Sequence, residues 1–166
     1  ILIQSEALAM NKVYLAAPFF SEQQKKRIQQ IKTALEKNPT IDQQNIFLPQ
    51  EHQFAAEPAG SRAWQQYVFA SDIRQIYRAD IVIAILDYKL ETGDNEADSG
   101  TMFEVGTAFA SHTPIALVQF DPQKNINLMI AQSLTAYFDA SKNGLAELAT
   151  YDFNELKSKP TFRPVI

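Results

Sequence analysis

Apolar positions along the chain alternate between short continuous runs and longer stretches where they recur every three or four residues. Lys12–Ala17 is an apolar run closed by Pro18 and reads as a strand. Glu22–Lys37 is polar except for Ile28, Ile31 and Leu35, whose spacing predicts a helix with one buried face. Asn38-Pro39 ends it, because proline cannot continue a helix. Asn45–Leu48 reads as a second strand and Gln50–Gly60 as a loop. Ser61 is placed to cap a helix running to about Arg78, with Phe69, Ile73 and Ile76 facing inward. Ile81–Leu86 is apolar throughout, as a strand covered on both faces must be. A polar, acidic loop over Tyr88–Ser99 precedes a helix over Thr101–Ser111. Pro114–Phe120 predicts a fourth strand, Asn127–Gln132 a helix, Leu134–Phe138 a fifth strand and Leu145–Tyr151 a last short helix.

Strands alternating with helices predict an α/β layer fold. The expectation is one domain: a doubly wound, mostly parallel five-stranded sheet, flavodoxin-like or Rossmann-like, with helices on both faces. Residues 11–166 form that domain. Ile1–Met10 is set aside as an N-terminal extension, with Met10 a candidate initiator. In such folds ligands sit outside the carboxyl ends of the strands, here just after Ala17, Leu48, Leu86 and Phe120.

Composition narrows the chemistry. The chain has 166 residues, 46% hydrophobic and 20% charged, which is ordinary for a globular domain. Its net charge of −4 argues against a nucleic-acid or anionic-membrane binder. The absence of cysteine removes disulfides, thiol nucleophiles and thiolate metal sites. His52 and His112 are the only histidines, so a multi-histidine metal centre is not expected. No run approaches the roughly 20 apolar residues of a membrane span. The default compartment is the cytoplasm.

At the first strand end, Ala16-Ala17-Pro18-Phe19-Phe20 is neither a G-x-G-x-x-G nor a lysine-bearing phosphate loop. Phe19 and Phe20 are core residues or, at the mouth, a surface for a flat uncharged ring. Glu104 is the only ionised residue between Ser99 and Phe120, among Met102, Phe103, Val105, Gly106, Ala108 and Phe109. A charge on so apolar a helix needs a reason. One is structural: Thr101-x-x-Glu104 matches a capping box. The other is chemical: a carboxylate in the first helical turn, kept ionised by the helix dipole, is an available nucleophile. Asp98 lies in the loop entering the same helix, beside Glu91, Asp94 and Glu96. Asp72 shares a helical ridge with Trp64 and Val68. Asp80 reads as a strand-start residue and Asp87 as a weaker site candidate. The acid spacing is not that of a calcium loop, and no metal or cofactor is expected.

Four segments together carry a family resemblance. They are Val13-Tyr14-Leu15-Ala16-Ala17-Pro18-Phe19-Phe20, Ser71-Asp72-Ile73, Asp98-Ser99-Gly100-Thr101-Met102-Phe103-Glu104-Val105-Gly106 and Asn127-Leu128-Met129. In this order the chain resembles the nucleoside 2-deoxyribosyltransferases from about Lys12 to Pro164. Asn38-Pro39-Thr40-Ile41-Asp42 and Tyr151-Asp152-Phe153-Asn154 are similar to members from lactic acid bacteria.

The resemblance implies exchange of the base of a 2′-deoxyribonucleoside for another purine or pyrimidine, with retention through a covalent sugar ester. It implies Glu104 as nucleophile and Tyr14 as the residue orienting it. Asp72 and Asp98 would bind the base and handle its proton. Gln53, Trp64, Phe19 and Phe20 would line the pocket. Asn127, with Met129 beside it, would be lent by a neighbouring subunit to the sugar hydroxyls, in a homo-oligomer for which the family favours a hexamer. Ala-Pro-Phe-Phe is closer to the purine-preferring branch, whereas Leu48-Pro49-Gln50-Glu51-His52-Gln53 is closer to the broad-specificity branch. Base preference stays open between them. Two rivals stand beside this reading: a hydrolase of deoxynucleosides or their 5′-monophosphates, and a non-catalytic nucleotide-sensing module of similar fold.

Overall fold

A computed structural model of the chain describes residues 10–88, 93–94 and 96–166. Within them, five strands form one sheet: β1 (Asn11–Ala16), β2 (Ile41–Phe47), β3 (Ile81–Leu86), β4 (Ile115–Gln119) and β5 (Ala136–Asp139). Their spatial order is β2-β1-β3-β4-β5 and every neighbouring pair is parallel. This is the flavodoxin-type doubly wound order, whose direction of winding reverses between β1 and β3. The helices are α1 (Glu22–Glu36), α2 (Arg62–Arg78), α3 (Ser99–Ala110), α4 (Leu128–Ser133) and α5 (Gly144–Leu148).

Strand alternation sorts the core into two layers. Val13 and Leu15 of β1, with Ile81, Ile83 and Ile85 of β3, join Ile28, Ile31 and Leu35 of α1 and Leu148 of α5. Tyr14 and Ala16, with Val82, Ala84 and Leu86, join Ile76 of α2, Val105 and Ala108 of α3 and Ala131 of α4. All six residues of β3 are buried. Truncating one of its isoleucines to alanine should cost ~2–5 kcal/mol.

The predicted elements are all present, with shifted bounds. The largest shift is at β2, which begins at Ile41 rather than Asn45. Ile41 is buried and pairs with Asn11, while Gln43, Gln44 and Asn45 point to solvent along the sheet edge. Ser61 caps α2 as expected, accepting from the Trp64 N–H at 3.2 Å. Phe69 does not face inward: it is 58% exposed and leans on Phe103 of α3, leaving Ile76 as the fully buried residue of α2. Asp80 holds the start of β1, accepting from the Lys12 N–H at 2.8 Å.

The two family-like segments outside the cleft meet each other. Asn38, fully buried, donates to the carbonyls of Leu148 and Tyr151, both at 2.8 Å, and accepts from Thr40. Phe153 N–H donates to Thr40 Oγ1 at 3.2 Å. Asn38 therefore satisfies all its polar atoms while tying the end of α1 to the C-terminal segment. The expected 1–10 extension, apart from Met10, lies outside the described residues. Part of the predicted Tyr88–Ser99 loop does too.

Candidate active site

The sheet places four chain segments at one end of β1. Beyond Ala16 the chain runs through Ala17 and Pro18 to Phe19 and Phe20. Beyond β2 a short 3-10 turn covers Pro49–Glu51. Beyond β3 the chain returns to start α3, and α2 crosses alongside. Together they enclose a cavity of about 270 Å³. Its walls carry Phe19, Phe20, Gln53, Trp64, Asp72, Asp98 and Glu104, with Pro49, Val68 and Thr101. Seven residues singled out in the sequence thus meet in one cleft at the position where a doubly wound sheet binds ligands.

Tyr14 projects from the middle of β1 into the α2/α3 layer and is fully buried. Its hydroxyl donates to Glu104 Oε1 at 2.5 Å. The Tyr14 ring stacks on Phe47 of β2, with centroids 5.6 Å apart, and Phe47 in turn stacks on His52 at 4.3 Å. The phenol is thus fixed from behind, and it fixes one carboxylate oxygen of Glu104.

Glu104 does not close a capping box. Asp98 caps α3: its Oδ2 accepts from Thr101 N–H at 2.8 Å and from Thr101 Oγ1 at 2.9 Å. The helix therefore starts at Ser99, and Glu104 stands in its second turn. The dipole acts mainly within the first turn, so it does not hold this carboxylate ionised. Burial dominates instead and pushes the Glu104 carboxyl up to about 8; the hydrogen bond from Tyr14 opposes the rise, and the nearby Asp72 and Asp98 add to it. The Asp72 carboxyl makes no hydrogen bond among the described residues, and burial pushes it up to about 6. The Tyr14 hydroxyl is driven far upward by burial and by the two neighbouring acids, so it stays protonated and acts as a donor. The cleft therefore holds one strong donor, one carboxyl that keeps its proton to slightly alkaline pH and one that loses it earlier.

The remaining candidates separate by role. Phe19 packs against the core while Phe20, 61% exposed, forms the rim, and the two rings stack at 5.9 Å. Gln53 Nε2 donates to Pro49 O at 3.0 Å. Asp87 is outside the cavity, paired with Arg27 at 2.7 Å. Asn127 and Met129 are not in the cleft of their own chain. Asn127 caps α4 and borders a separate cavity with Leu86, Met102 and Ile166, and Met129 is 75% exposed. Among the described residues no group of three His, Asp or Glu side chains is arranged to hold a metal ion. The sequence reading passed over Phe47, whose partner is visible only through strand pairing, and Gln24, although Ser21-x-x-Gln24 is a legible capping box.

A buried carboxylate gripped by a tyrosine, with two aspartates in the same cleft of a doubly wound sheet, defines a carboxylate-based α/β active site. Comparison with known proteins makes the assignment specific. The family model described as nucleoside 2-deoxyribosyltransferase matches residues 13–153. A nucleoside deoxyribosyltransferase from Limosilactobacillus fermentum is 30% identical, covering 94% of this chain and 94% of its own. One from Lactobacillus johnsonii is 29% identical, covering 83% of this chain and 91% of its own. The solved structure of a 2-deoxyribosyltransferase from Bacillus psychrosaccharolyticus superposes with a TM-score of 0.76 at 33% identity, covering 91% of this chain and 99% of its own. The chain belongs to the nucleoside 2-deoxyribosyltransferase family of enzymes. A Clostridium botulinum CMP N-glycosidase shares the fold, with a TM-score of 0.52 at 20% identity, covering 82% of this chain and 97% of its own.

Proposed function

We propose that the protein moves the 2-deoxyribosyl group of a 2′-deoxyribonucleoside to another nucleobase by double displacement, with Glu104 as the nucleophile. The observation that carries this reading is the 2.5 Å bond from Tyr14 to Glu104 in a cleft shared with Asp72 and Asp98. Tyr14 occupies one oxygen of Glu104, and the other is left for the anomeric carbon. In the first step the Glu104–C1′ bond forms as the C1′–N bond breaks, and the departing base takes a proton. In the second step an incoming base attacks C1′ from the vacated side, releases the glutamate and gives its proton back. Two inversions restore the starting configuration.

The proton count closes within the cleft. Near neutral pH Glu104 holds a proton and Asp72 does not. The reactive arrangement is the reverse: Glu104 ionised and Asp72 protonated, facing the base. Moving one proton between them converts one form to the other without exchange with solvent. Phe19, Phe20 and Trp64 offer faces for the base, and Gln53 keeps a carbonyl oxygen for a base amine or sugar hydroxyl.

A homo-oligomer, with a hexamer favoured, completes the reading. Asn127 and Met129 lie outside their own chain's cleft on a surface where Leu128 and Met129 are exposed, which suits a segment lent to a neighbour. Nucleotide hydrolysis is less well supported. The backbone N–H groups of Phe20 and Ser21, at the mouth where a phosphate would be cradled, already donate to Gln24 Oε1 at 2.7 and 3.1 Å.

The test is to incubate the protein with 2′-deoxyinosine or thymidine plus free adenine or cytosine and to separate the products by chromatography. New deoxynucleosides are expected from the native chain and none from Glu104→Gln. Absence of base exchange, an amide variant that exchanges at the native rate, or faster cleavage of deoxynucleoside 5′-monophosphates would overturn the reading.

A further inference from the structure

Gln24 is a long polar side chain buried to 1% exposure on the first turn of α1, outside the catalytic cleft. One end of its amide faces the β1–α1 loop: Oε1 accepts from the Phe20 and Ser21 N–H groups. The other end leaves α1 altogether, and Nε2 donates to the carbonyl of Tyr88, at the beginning of the connection from β3 to α3. Tyr88 is the base of that connection: it bridges Ala97, and the neighbouring Asp87 carbonyl accepts from Asp98 N–H at 2.9 Å. Arg27 lies three residues on, so it shares a face of α1 with Gln24. It pairs with Asp87 Oδ1 at 2.7 Å, with Asp87 nearly fully buried and Arg27 mostly so. Two consecutive residues at the root of the Asp98 segment are therefore gripped from α1, and the same glutamine holds the backbone of Phe20.

A capping box at the start of α1 needs only the glutamine's oxygen. The donor end contributes nothing to that cap. What it joins are the two opposite walls of the cleft, the Phe19–Phe20 rim and the segment that carries Asp98 and starts the helix bearing Glu104. We propose that Gln24, supported by the Arg27–Asp87 pair, is a positioning residue that sets the distance between these walls, and hence the fit of the base between Phe20 and Asp98. The proposal rests on the transferase reading above.

Gln24→Glu separates the two roles. A carboxylate keeps the acceptor end and so the capping box, but it presents an oxygen where an N–H met the Tyr88 carbonyl. The loosened walls leave the base misaligned in the transition state, so kcat and kcat/KM should fall together by roughly 10- to 100-fold. The melting temperature should fall by roughly 5–10 °C, because the introduced carboxylate is buried against a carbonyl oxygen. Acid restores a donor: once protonated, the introduced carboxyl can give its O–H to Tyr88. The ratio of variant to native kcat should therefore climb as the pH falls from about 8 to about 5.5. Loss of a helix cap would not produce that climb. If Gln24→Glu fails to fold, the double variant Arg27→Gln with Asp87→Asn removes the neighbouring ion pair without stranding a charge, and a smaller fall in kcat is expected. A folded Gln24→Glu with native kcat and KM, or with a pH-independent ratio, overturns the proposal; so does an unaffected double variant where that one is used. Base exchange by the native chain tests the transferase reading separately, because the role of Gln24 is read from the variant-to-native ratio alone.

Discussion

Replacing Tyr14 with phenylalanine removes one oxygen and little else. The ring stays in its fully buried place, stacked on Phe47, so the sheet and the α2/α3 layer are preserved. What disappears is the 2.5 Å hydrogen bond to Glu104, the one interaction that holds the Glu104 carboxyl down against burial. A hydrogen bond to a charged group is worth ~1.5–3 kcal/mol, and the same bond to the neutral acid about half that. Its loss should raise Glu104 further by roughly half a unit to one pH unit. Burial raises both carboxyls, Glu104 further than Asp72, so the form with Glu104 ionised and Asp72 protonated is the minor one of the two singly protonated forms. Each further unit thins that population tenfold.

The assay is the pH profile of kcat/KM for base exchange, which reports the free enzyme. The native profile should be a bell with limbs near 6 and 8, because both carboxyls are protonated below it and neither above it. Tyr14→Phe should lower the plateau by roughly 3- to 10-fold and move the alkaline limb upward, leaving the acid limb in place. A plateau that falls while the alkaline limb stays put would mean that Tyr14 acts on something other than the ionisation of Glu104. An unchanged profile would remove its role altogether.

Other consequences can be measured without a substrate or with a single assay. Glu104 titrates higher folded than unfolded, so the folded state keeps a proton the unfolded chain has lost between pH 4.5 and about 8, and stability falls as pH rises through that window. Glu104→Gln should therefore melt roughly 5–10 °C above the native chain at alkaline pH, with little difference near pH 4.5; equal melting curves at alkaline pH would contradict the buried-acid account. Gly144 packs against the end of β5, where a methyl group would meet the Asp139 backbone nitrogen at 2.7 Å. Gly144→Ala should cost ~1–3 kcal/mol in a denaturant titration without lowering kcat, since the strain lies on the far side of the sheet from the cleft. If sites are shared, inactive Glu104→Gln and Asn127→Ala chains reassembled together should recover up to about a quarter of native activity, the chance that a site draws both intact residues. No recovery from a mixed oligomer would place Asn127 outside the neighbour's site.

How far the sequence could be read depended on whether each signal was local. β3 was legible because six apolar residues in a row admit few alternatives to a strand covered twice. The edge strand β2 was half missed, because Asp42, Gln43 and Gln44 look like a loop unless one knows that Ile41 pairs with Asn11. Phe69 followed the helical spacing of an inward residue but lies outward, since spacing gives a stripe and not which stripe meets the sheet. Glu104 stood out because it is the only charge on an apolar helix. Its partner Tyr14 is 90 residues away and was reached only through family likeness. The error about its ionisation came from placing the helix start at Thr101. Moving the N-cap three residues back, from Thr101 to Asp98, carries Glu104 from the first turn to the second, from the reach of the dipole into a region ruled by desolvation.

The size of the cleft bears on the order of events. A cavity of about 270 Å³ lies just below the usual range, about 300–1,000 Å³, of small-molecule sites. A site of that size favours one base at a time between Phe20, Trp64 and Asp98. In the double displacement proposed above, the acceptor enters after the first base has gone, and the sugar stays on Glu104 in the interval. Initial rates measured against both substrates should therefore give parallel double-reciprocal lines. Intersecting lines would mean that nucleoside and acceptor are bound together, and a site large enough for both would have no need of a nucleophile to hold the sugar between them.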